Sequence, residues 1–230
     1  SIDRVYQKVL ALSNKEQRGY ITPQEFNLLA NQAQMEIFEQ YFYDIEQWGR
    51  KPGSKYEYSD MVTNIEEKIA KFQVINHNLA YSSSAGGLDL SQGDIYKLGV
   101  IKVKYADQGA AGLGFNRAEQ LTAAEYDLYE QSSFTRGTYK KPYCVLLTHG
   151  TSDVSLGAKF SPDLGPGDTA LISYIKPPNG VSWGYVVVQG KALFDPNTAK
   201  TQNFELHLSE EVELVYKILK LAGFNLKSAE

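Results

Sequence analysis

The chain has 230 residues, of which 43% are hydrophobic and 22% are charged, and its formal net charge is −4. This length allows one large or two small domains with a substantial core, and the composition is typical of a folded protein rather than a disordered one. The acidic balance, without long clusters of lysine and arginine, argues against a protein that coats nucleic acid.

The first predicted element is a helix over residues 2–13, where Ile2, Val5, Val9 and Leu12 recur at helical spacing. No apolar run approaches the ~20 residues that span a bilayer, and the first ten residues carry an acid and lack a signal-peptide core. We therefore expect a soluble chain that has no membrane partner.

The segment NKEQRGYITPQEF, residues 14–26, raises the possibility of a calcium loop. Gly19 and Glu25 fit the turn glycine and the bidentate ligand of a twelve-residue EF-hand. However, Asn14 occupies the first ligand position and Arg18 the fifth, where a positive charge opposes cation binding. A capping box explains the segment more simply, with Thr22 capping a helix and Glu25 bonding back to Thr22.

A long helix is predicted for residues 23–48, and a third helix from Asp60 to about residue 72. The apolar stripe of the long helix comprises Phe26, Leu29, Ala30, Ala33, Ile37, Tyr41 and Ile45. The breaker cluster KPGS at 51–54 separates the two helices. The sequence thus predicts a helical N-terminal region over residues 1–72.

The periodicity changes near residue 73, and strands are predicted through the middle of the chain. They cover residues 72–76, 95–105, 143–147, 154–160, 169–175, 183–189 and 204–208. Pro177–Gly180 contains Asn-Gly and predicts a hairpin turn. Thr122 and Glu125 form a second capping box, which predicts a short helix over 122–131.

The end of the chain predicts one more helix, over residues 209–222. Ser209 is the expected N-cap, Glu210 and Glu211 lie in the first turn, and Gly223 ends the helix. The predicted fold class is therefore α+β. Its segments are a helical region 1–72, a mainly β domain 73–208 and a C-terminal helix and tail 209–230.

Motifs for chemistry are weak throughout the chain. Thr148–Asp153 holds His149 among hydroxyls and a carboxylate, but neighbours on one turn point in different directions, and turn chemistry explains them better. The glycines of residues 109–114 do not keep the register of a phosphate loop. Cys144, the one cysteine, lies in an apolar run and is expected to be buried; it rules out an internal disulfide. We expect no enzyme activity, no catalytic residues, no metal and no cofactor.

Separated motifs across most of the chain resemble virion structural proteins of tailed phages, with the strongest similarity to the crAss-like podoviruses. The motifs are NKEQRGYITPQEF at 14–26, ANQAQMEIFEQYF at 30–42, YIKPP at 174–178, WGY at 183–185 and FELHLSEEVELV at 204–215. The resemblance implies a protein of the virion neck or tail that forms a closed homo-oligomeric ring or adaptor between the portal and other neck or tail proteins. It also implies no catalysis.

The mild acidity fits a conduit through which DNA passes without sticking. We take Tyr41, Phe42 and Tyr43 as candidates for an interface, with core packing as the alternative. The loops at 81–94 and 106–117 are candidates for contacts with neighbouring rings. Other readings remain open: a tail hub or other tail structural protein, or a non-viral interaction module without catalysis.

Overall fold

The computed structural model describes residues 1–15, 20–50, 55–82, 87–90, 94–106, 114–149, 155–197 and 199–224. By their contacts the residues form two units, Ser1–Lys71 with Pro177–Glu230 and Phe72–Lys176. N-terminal helices, a mostly β middle and a C-terminal helix confirm the predicted α+β class. This division differs from the segments 1–72, 73–208 and 209–230, because the chain from Pro177 onward groups with the helices.

In the described residues the first unit, which we call the helical unit, contains four α-helices and one hairpin. Its elements are α1 (Ile2–Lys15), α2 (Pro23–Arg50), α3 (Lys55–Ala70), β8 (Tyr185–Val188), β9 (Lys191–Phe194) and α5 (Glu211–Leu221). The predicted helices at 2–13 and 23–48 are confirmed, and α3 begins five residues before the predicted Asp60. Phe26, Ala30, Ala33, Ile37 and Tyr41 are buried, so the stripe predicted for α2 is the face that meets the core.

Helix α2 begins with the predicted capping box. The Thr22 backbone N–H and hydroxyl donate to Glu25 Oε2 at 2.9 and 2.8 Å, and the Glu25 N–H donates to Thr22 Oγ1 at 3.3 Å. The helix cap thus occupies one oxygen of the Glu25 carboxylate. A calcium loop would use both oxygens of that carboxylate as its bidentate ligand. Loop positions 16–19 lie outside the described residues.

Three amide side chains of α2 hold an extended segment, residues 179–183, which we call the strap. Asn31 pairs with both backbone groups of Val181, at 2.8 and 2.8 Å, and Asn27 pairs with both of Trp183, at 2.6 and 3.3 Å. Gln34 Nε2 donates to the Asn179 carbonyl at 2.8 Å. Three or four helical residues rise about 4.5–6 Å and two extended residues about 6.6 Å, so successive amides reach alternate strap residues.

The strap corrects two predictions. The hairpin turn predicted at Pro177–Gly180 is wrong, because the backbone there bonds to α2 side chains; the actual turn is at Gln189 and Gly190, both with positive φ. The strand predicted at 204–208 is also wrong, because those residues have no ladder, and the Glu205 N–H donates to Gln34 Oε1 at 3.2 Å.

The C-terminal helix is preceded by a 3₁₀ turn, Leu208–Glu210, that the sequence did not predict. Ser209 is not the N-cap: Glu210 holds that position of α5 without a side-chain capping bond, and the Ser209 N–H donates to His207 Nδ1. The helix ends as predicted at Gly223, which has φ 84°. The Phe224 N–H donates to the Leu219 carbonyl and the Gly223 N–H to that of Lys220, which is a Schellman motif.

The second unit, the barrel unit, is a closed barrel in the strand order β1-β2-β6-β5-β4-β3-β7. Its elements are β1 (Gln73–Ser82), β2 (Gly87–Asp89), β3 (Lys97–Lys104), β4 (Asn116–Leu121), α4 (Ala123–Glu130), β5 (Tyr143–His149), β6 (Ser155–Ser161) and β7 (Thr169–Ile175). All pairs are antiparallel except β4 with β5. The sequence missed β2 and β4, and it correctly predicted β7 and the box that caps α4.

The barrel encloses its own apolar core, which includes Leu88, Ile101, Val103, Phe160 and Ile172. Both neighbours of β7 carry an extra residue at the same level, between Val74 and His77 in β1 and between Leu98 and Ile101 in β3. Such bulges bend a strand and increase its twist, as closure of a small barrel requires.

Candidate interaction surfaces

The three aromatic residues proposed as an interface do not share one environment. Tyr41 is 4% exposed, so it belongs to the core of the helical unit. Phe42 is half-buried and packs edge-on against Phe38, with ring centroids 5.1 Å apart. Tyr43 is 60% exposed. The core stripe of α2 already included Tyr41, so the helical period contained the signal for its burial.

A partly buried ionic cluster lies around Tyr41. Lys68 Nζ lies 2.5 Å from Glu210 Oε1 and 5.6 Å from the centroid of the Tyr41 ring. Burial and the neighbouring Glu210 carboxylate raise the pKa of the Tyr41 hydroxyl. Burial and the bond to Glu210 also raise the pKa of Glu213. This cluster joins α2, α3 and α5: Lys68 pairs with Glu210 and lies over the Tyr41 ring, while the buried Tyr41 hydroxyl has no hydrogen-bond partner among the described residues.

The candidate loops and the segment around His149 fall largely outside the described residues. Residues 83–86, 91–93 and 107–113 of the loops do so, as does 150–154 of the His149 segment; the side chain of His149 is likewise not described. The described ends of the loops include strands β2 and the start of β4. Across the described ranges there is no group of three His, Cys, Asp or Glu side chains that could hold a metal ion.

Cys144 lies in the barrel core, as predicted. Its side chain has no exposed surface, and burial raises the pKa of the thiol to about 12. A thiol in that state is a poor nucleophile, because the thiolate is the reactive form.

In the part of the chain that the structure describes, no helix is long and apolar enough to cross a bilayer.

The most unusual surface is the hairpin of β8 and β9, residues 185–194, which we call the apolar hairpin. Its sequence, YVVVQGKALF, contains one charged residue, Lys191. Val187 is 65% exposed on one face, and Leu193 is 50% exposed on the other. The base is anchored because Trp183 contacts Tyr185 and Phe194, with ring centroids 5.9 and 5.8 Å apart. The rest of the hairpin presents apolar side chains on both faces.

The sequence predicted a strand at 183–189 but gave no sign of its exposure. A run of consecutive valines is typical of a strand that is buried on both faces. Here the run lies in a two-stranded sheet, and its three valines are 39–65% exposed. The Gln189-Gly190 pair was the available signal for the turn, since glycine tolerates positive φ there.

A second surface lies where β3 and β4 separate in the barrel unit. Their ladder has three residue pairs and ends at Ile101 and Ala118; beyond it, β4 pairs with β5 and β3 with β7. The separation leaves a cavity of about 480 Å³, which we call the β3–β4 cleft. It is lined by Gly99, Val100, Arg117, Ala118, Glu119 and Gln120.

The chain matches no protein-family model, and no curated protein matches it significantly.

Proposed function

We propose that this chain is a ring or adaptor protein in the neck or tail of a tailed-phage particle, where it joins the portal to the tail and forms part of the DNA conduit. The observation that carries the proposal is the apolar hairpin. Valines exposed on both faces of a two-stranded sheet favour a protein that is covered by a partner when it functions.

The motif resemblance in the sequence supports the choice of partner class. Residues 23–26 and 30–42 of the similar segments lie in α2, and the WGY segment at 183–185 anchors the hairpin. The similar segments thus form the framework that presents the exposed surface. The net charge of −4 is compatible with a conduit wall past which DNA slides.

The test is the composition and structure of purified particles. Quantitative mass spectrometry should find the chain at a fixed ratio to the portal protein, with several copies per particle, through successive gradient purifications. A reconstruction of the neck and tail should then place it in a closed ring, because repeated head-to-tail contacts around an axis close in that way. An abundant host protein serves as the control, since its ratio to the portal should fall with each purification.

Two results would contradict the proposal. The chain could fall in abundance together with the host control, in which case it is not a virion component. Alternatively, it could be present but appear in the reconstruction only as unordered single copies. If the reconstruction placed the chain in the tail hub, the structural role would stand and the ring assignment would be replaced.

A further inference from the structure

The apolar hairpin has strand edges as well as faces to cover. Among the described strands β8 and β9 pair only with each other, so each has one edge without a ladder partner. Unpaired edges with apolar side chains are templates for pairing with another sheet. The occupant that suits the hairpin is therefore a β-sheet with an unpaired edge of its own, rather than a helix or a small ligand.

The barrel unit offers such an edge at the β3–β4 cleft. Gly99 and Val100 lie beyond the last β3–β4 pair, and in the described residues they have no ladder partner on the β4 side. Glu119 and Gln120 continue β4 along β5, which leaves their opposite side facing the cleft. Two diverging strands with a 480 Å³ cavity between them provide room for side chains of an added strand.

We propose that the apolar hairpin of one copy docks into the β3–β4 cleft of a second copy and adds a strand to its barrel. One chain carries both halves of the contact, the hairpin on its helical unit and the cleft on its barrel unit. A contact between two different surfaces of identical chains is head-to-tail and repeats from copy to copy. The lining of the cleft holds one acid, Glu119, and one base, Arg117, so its charges balance and do not repel Lys191, the one charge of the hairpin.

This inference rests on the proposed function, for which it supplies the contact between neighbouring copies. In strand addition, backbone hydrogen bonds provide affinity, and pockets that receive every second side chain provide specificity. In the docked state one face of β8 would turn toward the barrel interior, which would cover the valines of that face and accounts in part for a sequence that is otherwise typical of a buried strand.

Cysteine trapping between two purified variants tests the contact. One variant carries Val187→Cys and the other, with a size tag, carries Gln120→Cys; both positions are exposed in the single chain. Gly99 is unsuitable, because an added Cβ would lie 2.7 Å from the Ser173 carbonyl oxygen. The native Cys144 is fully buried and should not compete. Under mild oxidation we expect a mixed disulfide between the two variants on a non-reducing gel.

The matched control replaces Gln120→Cys with Leu128→Cys, since Leu128 on α4 is 65% exposed, as Val187 is. Docking raises the effective concentration of the two thiols toward the millimolar range, so the test pair should react more than about tenfold faster than the control pair at micromolar protein. Adding Val186→Asp to the hairpin variant should return the rate to that of the control, with circular dichroism checking that the chain is still folded.

Equal rates for test and control pairs would overturn the inference. So would a product consisting only of Val187→Cys homodimers, which would mean symmetric pairing of two hairpins. Trapping of Val187→Cys on a different virion protein in assembled particles, without self-trapping, would also overturn it. If the chain is absent from particles but the mixed disulfide forms, the proposed function fails and the contact stands. If the chain is a virion component but no mixed disulfide forms, the proposed function stands and only the contact between copies fails.

Discussion

Thr22 and Glu25 form a reciprocal pair of hydrogen bonds that Thr122 and Glu125 repeat with nearly the same distances. In both pairs the carboxylate accepts from the threonine backbone N–H and hydroxyl, and these bonds lower the pKa of the glutamate below its ordinary value. Each box satisfies backbone groups that a helix start leaves without intrahelical partners. The EF-hand similarity of residues 14–25 is thus compatible with a helix cap.

Replacing Thr22 with alanine should lower the free energy of unfolding by about 0.5–2 kcal/mol, because the Glu25 N–H loses its acceptor. Denaturant unfolding followed by circular dichroism measures the change. Thr22→Ser is the matched control, since it keeps the hydroxyl and should stay close to the wild type. Equal stability of the alanine and wild-type proteins would contradict the cap.

The cap should also make stability depend on pH. Because the pKa of Glu25 is lowered in the folded state, its contribution is complete above the ordinary pKa of 4.5 and is lost as the pH falls through the folded-state value. The stability difference between wild type and Glu25→Gln should therefore shrink from pH 7 to pH 3. Glu39→Gln, at an exposed glutamate in the middle of the same helix, is the matched control. A constant difference for Glu25→Gln would count against the cap.

Cys144 should resist thiol reagents in the native protein. Its thiol has no exposed surface, and its pKa is raised to about 12, so both access and ionisation oppose reaction. Labelling with a chromogenic disulfide at pH 8 should be slow without denaturant and complete within seconds in concentrated guanidinium chloride. An introduced exposed cysteine, Leu128→Cys, serves as the fast-reacting native control. Rapid labelling of the wild type would show that the barrel core opens readily.

At the scale of elements, helix α2 does more than pack an apolar stripe. The amides of Asn27, Asn31 and Gln34 lie along a second face and supply the backbone partners that a neighbouring strand would otherwise provide. Val181 and Trp183 are buried at 3% and 2% exposure, so their backbone groups have few alternatives in water. The strap is therefore held in place by side chains.

Asn31→Ala should lower the free energy of unfolding by about 1–3 kcal/mol, because it leaves both backbone groups of Val181 without partners in a buried setting. Gln32→Ala is the matched control: Gln32 is the next residue, is exposed, and bonds only along the helix to Glu36. That control should change stability by a few tenths of a kcal/mol. Equal effects of the two substitutions would mean that the strap is not held by Asn31.

The elements that the sequence predicted well are those whose signal is local. Helix α2 has its cap and apolar stripe within one segment, and β7 has its alternation within seven residues. The strap could not be predicted, because Val181 finds its partner 150 positions earlier in the chain, on an asparagine that by sequence belongs to a polar face. The exposure of the valine run was equally hidden from the sequence, since it depends on the run lying in a sheet of two strands. Only Tyr43 of the proposed aromatic interface is well exposed.

At the scale of the whole molecule, the barrel unit is one continuous insertion into the helical unit. The Lys176 N–H donates to the Phe72 carbonyl oxygen at 2.9 Å, and β1 pairs with β7 from Gln73 and Ile175 onward. The two ends of the insertion are therefore adjacent. Each unit also has a core of its own, with Phe26, Ile37 and Ile218 buried in the helical unit and Leu88 and Phe160 in the barrel unit.

We therefore expect the two units to fold separately. A fragment of residues 72–176 should unfold cooperatively and give a mainly β circular dichroism spectrum. A chain in which Lys71 is joined to Pro177 through a short Gly-Ser linker should keep its helices, because the adjacent ends leave little distance to span. In that chain Asn31→Ala should cause the same loss of stability as in the full protein, because Asn31 and the strap both belong to the helical unit. A helical fragment that is unfolded, or that is folded but insensitive to Asn31→Ala, would mean that the barrel unit is needed to build the helical one.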